Sequence, residues 1–335
     1  MSLLELMRDP ESVAAAILLI GAAASGIHLY ATLGALGLAS RLDLIPALPP
    51  GLTGLENGLV IATAGVLLLV EAVADREPAF AGMWHTVHAL VKPLAAALLS
   101  FSAIAGASAP ALAAACALAA ATALLFHALR YGARVAHRMP DAPRGSFRVS
   151  LGEAALAVAF LVPLRFPAAA VPTAVELLLV LLVGGPLGFR AFRLGVSAQR
   201  ARLRFFLGES GWSGVERLPA SLRRAVAPTS LGGTPPRATR VGVLDAPGIG
   251  RFQRAWLVSD AGGHRLLART WRGRREVRLD DAGPPQLRAG AWADLLETAG
   301  PAEKLRILLF KDGPAPALVA RSLAPEPVRG PRVDI

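Results

Sequence analysis

Cysteine and charge are scarce in this chain. It has one cysteine in 335 residues, Cys116, which lies in an apolar run. A single cysteine excludes an internal disulfide and a cysteine-based metal site. Charged residues make up 18 % of the chain and hydrophobic residues 54 %, whereas roughly 25 % of a typical soluble protein is charged. This balance favours a membrane protein.

Catalytic motifs are missing as well. The chain has no His-Glu-x-x-His spacing, no Gly-x-Ser-x-Gly elbow and no Gly-x-x-x-x-Gly-Lys-Ser/Thr phosphate loop. We therefore predict no enzymatic activity, no metal site and no cofactor. Nucleic-acid-binding motifs and basic runs interleaved with aromatic residues are also lacking, so nucleic acid is not a predicted partner.

The chain contains six apolar stretches, separated by segments rich in Pro and Gly. A bilayer core about 30 Å thick needs around 20 apolar helical residues to cross it, so each stretch predicts a transmembrane helix. The stretches are 12–38, 57–74, 83–106, 109–130, 150–164 and 168–190. The fifth is short and ends at Pro163, which leaves open a re-entrant or tilted segment. The start of the chain lacks the cationic region of a secretory signal, so the first stretch is predicted to remain as a span.

Charge divides the chain into two parts. Residues 1–199 hold 12 Lys/Arg and 11 Asp/Glu, whereas residues 200–335 hold 23 and 13. We predict a transmembrane helical domain over 1–199, an amphipathic connector over 200–236, a cytoplasmic domain over 237–323 and a disordered tail over 324–335. A basic domain beside a bilayer is expected to contact anionic lipid head groups. A protein partner and a homo-oligomer are left open.

The C-terminal domain shows the short alternating runs that are typical of strands. These runs are 240–244, 255–259, 264–271, 276–279, 305–310 and 317–321. Turn signals separate them at 260–263 and 312–314. We predict a small, mainly β domain, an antiparallel barrel or sandwich, with one helix near 290–299.

Arginines in the short loops predict the orientation, because positive charge is retained on the cytoplasmic side. Two groups of arginines follow the fourth and sixth stretches: Arg130, Arg134, Arg138, Arg144 and Arg148, and then Arg190, Arg193, Arg200, Arg202 and Arg204. The 107–108 connection carries no charge. Both termini and the 75–82 loop are therefore predicted to be cytoplasmic.

The two halves of the helical domain resemble each other faintly. Residues 15–41 and 112–138 are both Ala-rich, and each has a late histidine and an acidic residue before or within the next span. The histidines are His28 and His127, and the acids are Glu56 and Glu153. Three spans per copy would place the copies in opposite orientations, a 3+3 inverted repeat like that of many transporters. The alternative is chance similarity between sequences rich in Ala and Leu.

Ionisable residues at membrane depth are costly, and they are therefore the first candidates for function. Glu71 and Asp75 lie four apart on one face of the second predicted helix, while His85, His88 and Lys92 share one face of the third. If these helices form an antiparallel hairpin, two carboxylates face two imidazoles and an ammonium. Such a site could bind a proton, a cation or an anionic head group. The alternative is that these groups are hydrated interfacial charges, with Lys92 reaching towards water.

Other candidates are more isolated. His28 is polar at depth in the first span, and a satisfied core histidine is the alternative interpretation. Glu153 and Glu176 are acidic residues near or within the fifth and sixth spans. His127 and Arg130 repeat the spacing of the third helix with Arg134, although basic residues at that end are what the orientation requires.

Several of these segments resemble a family of bacterial membrane proteins catalogued as domain of unknown function 4126. The segments are 24–30, 69–78, 83–99 and 150–153, and the resemblance covers about residues 12–195. The residues that match the family pattern are Glu71, Asp75, Pro78, Trp84, His88, Lys92 (where Arg is usual) and Pro93. The chain departs from that pattern at His28, where Arg is usual, and at Ala81 and His85, where acids are common. The resemblance implies a location in the bacterial cytoplasmic membrane but no activity. If the acidic residues common at positions 81 and 85 are functional in relatives, their absence here points to an altered function.

Two functions remain open on these observations. One is a transporter or channel-like protein for a small solute or ion, linked to protons through Glu71 and His88. The other is an anchor or scaffold that transports nothing, whose basic cytoplasmic domain binds a partner or anionic lipid. A lipid-modifying or lipid-moving enzyme is a third, weaker hypothesis.

Overall fold

A computed structural model of the chain describes residues 10–76, 78–138, 146–224, 226, 235–260, 263–270, 273–279, 284–290, 293–299 and 304–323. The chain divides into two compact units. The helical unit comprises residues 1–134 and 143–192, and the sheet unit comprises 135–142 and 193–335.

The described residues of the first part of the chain form six α-helices: α1 (Pro10–Arg41), α2 (Gly58–Ala74), α3 (Pro78–Ala103), α4 (Ala109–Arg138), α5 (Ser146–Ala159) and α6 (Pro167–Phe206). Short 3₁₀ helices, Pro50–Glu56 and Val162–Arg165, precede α2 and α6. Helix α1 lies at the centre and contacts α2, α3 and α5. It also approaches α4 closely, because a Cβ at Gly26 would collide with the carbonyl group of Ala123. Small residues allow such close packing of apolar helices.

Four helices are long and apolar enough to cross a membrane among the described residues: Ala15–Arg41, Met83–Ala103, Ala109–Arg134 and Ala169–Phe206. The pair Pro50–Glu56 and Gly58–Ala74, bent by 67°, would make a fifth span. The prediction of six spans is not confirmed. The stretch 150–164 is divided between α5, of 14 residues, and a separate 3₁₀ helix. At 1.5 Å per residue α5 is about 21 Å long, shorter than the bilayer core.

Helix α1 is broken at His28. This residue has φ −147° and ψ 91°, an extended conformation inside an otherwise helical segment. The break interrupts the i to i−4 hydrogen-bond ladder, so backbone carbonyl groups just before it need other partners. Beyond the break, the hydroxyl of Thr32 donates to the carbonyl oxygen of His28 at 3.0 Å. The two segments of α1 therefore end and begin in the middle of the helical unit.

Where the structure describes it, the sheet unit has eight strands and two short α-helices. The strands are β1 (Ser213–Gly214), β2 (Arg237–Asp245), β3 (Gln253–Asp260), β4 (Gly263–Thr270), β5 (Gly273–Arg278), β6 (Pro285–Arg288), β7 (Ala293–Ala299) and β8 (Lys304–Phe310). The helices are α7 (Ala220–Arg223) and α8 (Pro316–Leu323). All pairings are antiparallel, in the order β5-β4-β3-β2-β8-β7-β6, with β1 beside β2. The prediction of an antiparallel C-terminal domain is confirmed.

Both faces of this sheet bury apolar side chains. One face, which includes Val241, Leu257 and Ile307, forms a core with Val319 of α8. The opposite face packs at one end against Leu218 and neighbouring residues of the connector. Both faces of the sheet therefore contribute to the hydrophobic core of the unit.

Two predictions within this domain are wrong. The helix predicted near 290–299 is strand β7, which pairs with β8 over its whole length. The strand predicted at 317–321 lies in helix α8, which starts at Pro316, a residue well suited to the first turn of a helix. The predicted tail, 324–335, lies outside the described residues.

Candidate functional site

Glu71 of α2 lies at the centre of a buried network of charges in the helical unit. One of its carboxylate oxygens, Oε1, accepts a hydrogen bond from Arg130 Nη1 of α4 at 2.7 Å and lies 3.6 Å from Lys92 Nζ of α3. The other oxygen lies 3.4 Å from Nδ1 of His28, at the break in α1. The side chains of Glu71, Lys92 and His28 are all 0 % exposed. Four helices thus meet at one carboxylate.

Asp75 caps the C-terminus of α2, one turn from Glu71. Its carboxylate lies 3.1 Å from Nε2 of His85 in α3 and 2.7 Å from Nη1 of Arg134 in α4. Nη2 of Arg130 is 3.8 Å away. The second carboxylate therefore joins the same two helices that surround the first.

Glu153 of α5 completes the network. Its carboxylate accepts a hydrogen bond from Arg130 Nε and another from Arg134 Nε, each at 2.7 Å, and it also pairs with Arg134 Nη2. Helix α5 is thereby tied to α4 through two guanidinium groups. The spacing of four residues between Arg130 and Arg134 places both on one face of α4.

The network is balanced in charge. It contains three carboxylates and three cations among the described residues: Glu71, Asp75, Glu153, Lys92, Arg130 and Arg134. An unpaired buried charge is strongly unfavourable, whereas a charge with an opposite partner and good hydrogen bonds is tolerated. The charges therefore depend on one another, and removing any one leaves an uncompensated net charge in the network.

Lys92 links the network to the break in α1. Its ammonium donates to the carbonyl oxygen of Ile27 at 3.0 Å and to that of Gly26 at 3.4 Å. These carbonyl groups lie at the C-terminal end of the first segment of α1, where the helix dipole favours a cation. The ammonium thus satisfies the backbone that the break exposes, while it remains within 3.6 Å of Glu71.

His88 lies beside the network without an ion pair to its carboxylates. Its Nδ1 is 2.9 Å from the carbonyl oxygen of Trp84, so this nitrogen carries the proton and donates it. Nε2 then accepts from the hydroxyl of Tyr30, also at 2.9 Å. The rings of Trp84 and Phe80 stack in series on His88. A chain of aromatic side chains thus leads from the exposed Phe80 to the buried imidazole.

The remaining candidates differ in their surroundings. His127 is buried, and its Nε2 donates to the carbonyl oxygen of His85 at 3.0 Å, which fixes α4 against α3. Glu176 lies on an exposed position of α6 and forms no ion pair within the part of the chain that the structure describes. Groups of three or more His, Cys, Asp or Glu side chains that could hold a metal ion are absent among the described residues.

The structure brings together Glu71, Asp75, His85, Lys92 and His28, five of the six principal candidates. Of the secondary candidates, it places Glu153 and Arg130 in the network and leaves Glu176 outside. Sequence reasoning passed over Arg134 and Tyr30. The signal for Arg134 was present, because His127, Arg130 and Arg134 repeat the i, i+3, i+7 spacing of His85, His88 and Lys92. Membrane orientation alone already explains a positive charge at Arg134, which is why this residue is not among the candidates.

A family model described as Domain of unknown function (DUF4126) matches residues 15–185 of this chain, just over half of its 335 residues. The chain belongs to this family. The family region contains every residue of the network and ends before residue 193, where the main part of the sheet unit begins. Comparison with curated proteins and with solved structures finds no match. The family description assigns no function, so the chemistry of the site must be inferred from its geometry.

Proposed function

We propose that this protein is a multi-pass transporter or channel-like protein for a small solute, linked to protons through the network around Glu71. The observation that carries the proposal is the break in α1 at His28, which faces a charged network buried between helices. Broken helices in transporters expose backbone groups at mid-membrane, where substrates and coupling ions bind. Here the exposed carbonyl groups and the network meet at Lys92.

A cavity whose lining lies one helical turn from Gly26 and from Lys92 supports this proposal. It has a volume of about 290 Å³ and lies between α1, α3 and the segment 45–52. Its lining includes Ala22 and Ala96, each one helical turn from Gly26 and Lys92 respectively. Ser100 supplies the one polar side chain among the described residues that line it. These features favour a small, weakly polar solute over a bare ion.

The residues of the network have distinct roles in this proposal. Glu71 contacts both Lys92 and Arg130, so a proton that binds its carboxylate weakens both ion pairs at once. Lys92 is then free to leave the carbonyl groups of α1. His88 is the second proton carrier of the proposal, and in this arrangement its Nε2 accepts a hydrogen bond from the hydroxyl of Tyr30.

Proton flux into proteoliposomes tests the proposal. The purified protein is reconstituted, a potassium diffusion potential is imposed with valinomycin, and the lumenal pH is followed with a trapped dye. We expect a flux above that of protein-free liposomes, lost in Glu71→Gln and kept in Glu176→Gln. The second variant makes the same chemical change on an exposed position of α6. Absence of flux in the wild-type protein would contradict proton-linked transport.

Both termini are cytoplasmic in this proposal. Cytoplasmic termini require an even number of crossings. The segment 146–165 before α6 and the bent pair that contains α2 must therefore both cross or both fail to cross, which gives six or four. The middle helices of the two proposed copies, α2 and α5, are the two short ones, with 17 and 14 residues. This correspondence supports the 3+3 inverted repeat, and with it six crossings.

A second candidate function is a membrane anchor or scaffold. The balance of three carboxylates and three cations favours it, because such a network holds helices together without any moving charge. The sheet unit would then carry the activity by binding a partner. Truncation of this unit would abolish the biological effect, whereas Glu71→Gln would leave it intact in any molecule that folds.

A further inference from the structure

Four exposed arginines gather on one surface of the sheet unit. Arg193 and Arg200 come from the C-terminal part of α6, Arg240 from β2 and Arg254 from β3. We call this group the arginine cluster. It is separate from the network in the helical unit, and none of its members was among the candidate site residues.

The register of the sheet places two of these arginines side by side. Arg240 pairs with Trp256, and Gly242 pairs with Arg254, so Arg240 and Arg254 are diagonal neighbours on adjacent strands. Diagonal positions on one face are about 7–8 Å apart, within reach of long side chains. The alternate residues of β2 and β3, including Val241 and Leu257, point to the opposite face and form the core. Arg240 and Arg254 therefore project from the same outer face.

Helix α6 brings the other two arginines to this face. A Cβ at Gly242 would lie 2.5 Å from Cδ1 of Leu194, so the missing side chain of Gly242 leaves room for Leu194 on the sheet. Leu194 is fully buried, as are Ala198 and Ala201, which share its side of the helix. Arg193 directly precedes Leu194, and Arg200 directly precedes Ala201. The two arginines are seven residues apart and therefore lie on one side of the helix, next to its contact with the sheet.

Three of the four arginines have no acidic partner that would neutralise them in the described part of the chain. Within the described ranges, Arg200, Arg240 and Arg254 form no ion pair with a carboxylate, whereas Arg204 on the same helix pairs with Asp312 at 3.1 Å. Burial and then the neighbouring Arg193, Arg240 and Arg200 lower the pKa of Arg254 below its ordinary value. Like charges are thus held close together by a packed frame, which is unfavourable unless an anion binds between them.

We propose that the arginine cluster binds the phosphate group of an anionic phospholipid. A guanidinium group matches the geometry of phosphate oxygens and donates two hydrogen bonds to them at once. Arg193 and Arg200 belong to the candidate span Ala169–Phe206, so the cluster lies at the end of an apolar helix, where basic residues meet lipid head groups. Trp256 lies under Arg240, with the guanidinium carbon 5.2 Å from the ring centroid. Tryptophan is enriched at this depth of a membrane.

Lipid titration tests the proposal on the full chain in a neutral detergent. Dioctanoyl phosphatidylglycerol and dioctanoyl phosphatidylcholine are titrated separately, and bound lipids are counted by native mass spectrometry. We expect the wild type to bind the anionic lipid at least tenfold more tightly than the zwitterionic one. The double variant R240Q/R254Q should lose this preference, and R200Q alone should reduce it about threefold.

The matched control is R274Q/R275Q, which removes the same charge from two exposed arginines on the edge strand β5. This control variant should keep the preference for the anionic lipid. If it loses that preference, net charge alone explains the binding, and the proposal is overturned. Equal binding of both lipids by the wild type would also overturn it. Full competition by inorganic phosphate at the concentration of the lipid would assign the cluster to soluble anions instead. R200Q changes an exposed helical position, so it keeps the test valid if the double variant unfolds.

Discussion

The buried network and the arginine cluster hold comparable numbers of charges in opposite circumstances. In the helical unit, five of the six charges are buried and Glu153 is half-buried, the charges balance, and each contacts at least one opposite charge. In the sheet unit, the four arginines of the cluster are exposed, and three of them lack a carboxylate partner among the described residues. The comparison shows that charges between apolar helices must be paired with opposite charges of the protein itself. Charges on the surface can instead be paired with those of a ligand.

Removing Glu71 should break this comparison most strongly. The variant Glu71→Ala leaves Lys92 and Arg130 buried with one carboxylate fewer, and breaking a buried ion pair costs about 3–5 kcal/mol of the free energy of unfolding. Chemical denaturation in detergent measures the loss. Glu176→Ala, on an exposed position, should change the same quantity by less than about 1 kcal/mol. Equal effects in the two variants would show that the network does not hold the helices together.

Removing Lys92 should have the next largest effect. Lys92→Met keeps most of the side-chain volume but leaves the carbonyl groups of Gly26 and Ile27 without the ammonium. Leaving a buried acceptor unsatisfied costs about 1–3 kcal/mol. Hydrogen exchange should also show faster opening of α1 around residue 28 than in the wild type. Unchanged exchange there would mean that the ammonium does not stabilise the break.

The packing of α6 on the sheet, which holds the arginine cluster together, can be tested at Gly242. The substitution Gly242→Ala adds a Cβ that would meet Leu194, and overpacking of this kind costs about 1–3 kcal/mol. The double variant G242A/L194A should recover part of that loss, because the smaller side chain makes room. Thermal unfolding of the full chain measures both. Additive losses would show that α6 does not pack on the sheet at this point.

A surface ion pair should give the smallest effect. Arg306 donates to Glu297 at 2.6 Å between β8 and β7, but both side chains are partly exposed. Exposed pairs typically contribute about 0–1 kcal/mol, so Arg306→Gln should leave thermal unfolding nearly unchanged. A loss as large as that of Glu71→Ala would remove the distinction between buried and exposed charge on which the comparison depends.

Sequence patterns predicted the network better than they predicted the helices that carry it. The carboxylates of α2 face the basic groups of α3, as their spacing of four and seven residues indicates. Arg130 and Arg134 were harder to place, because an arginine at the end of a span has an ordinary explanation in membrane orientation. Only the fold shows that both point into the helical unit.

The errors have physical causes. The break at His28 carries no proline, and it is stabilised by Lys92, a contact 65 residues away that local sequence does not reveal. Residues 293–299 are rich in Ala, Leu and Glu, which favour a helix, but pairing with β8 overrides this propensity. The stretch 150–164 looked apolar enough to cross, yet Pro163 lacks an amide hydrogen and does not continue α5.

The central claim is that the network around Glu71 moves a proton and does more than hold helices together. The double variant Glu71→Gln/Lys92→Gln tests it most directly, because it removes one charge of each sign and keeps the network neutral. We predict that this variant folds, elutes as the wild type does and loses the proton flux that the wild type shows in proteoliposomes. A folded double variant with wild-type flux would contradict the claim and assign the network to structure alone.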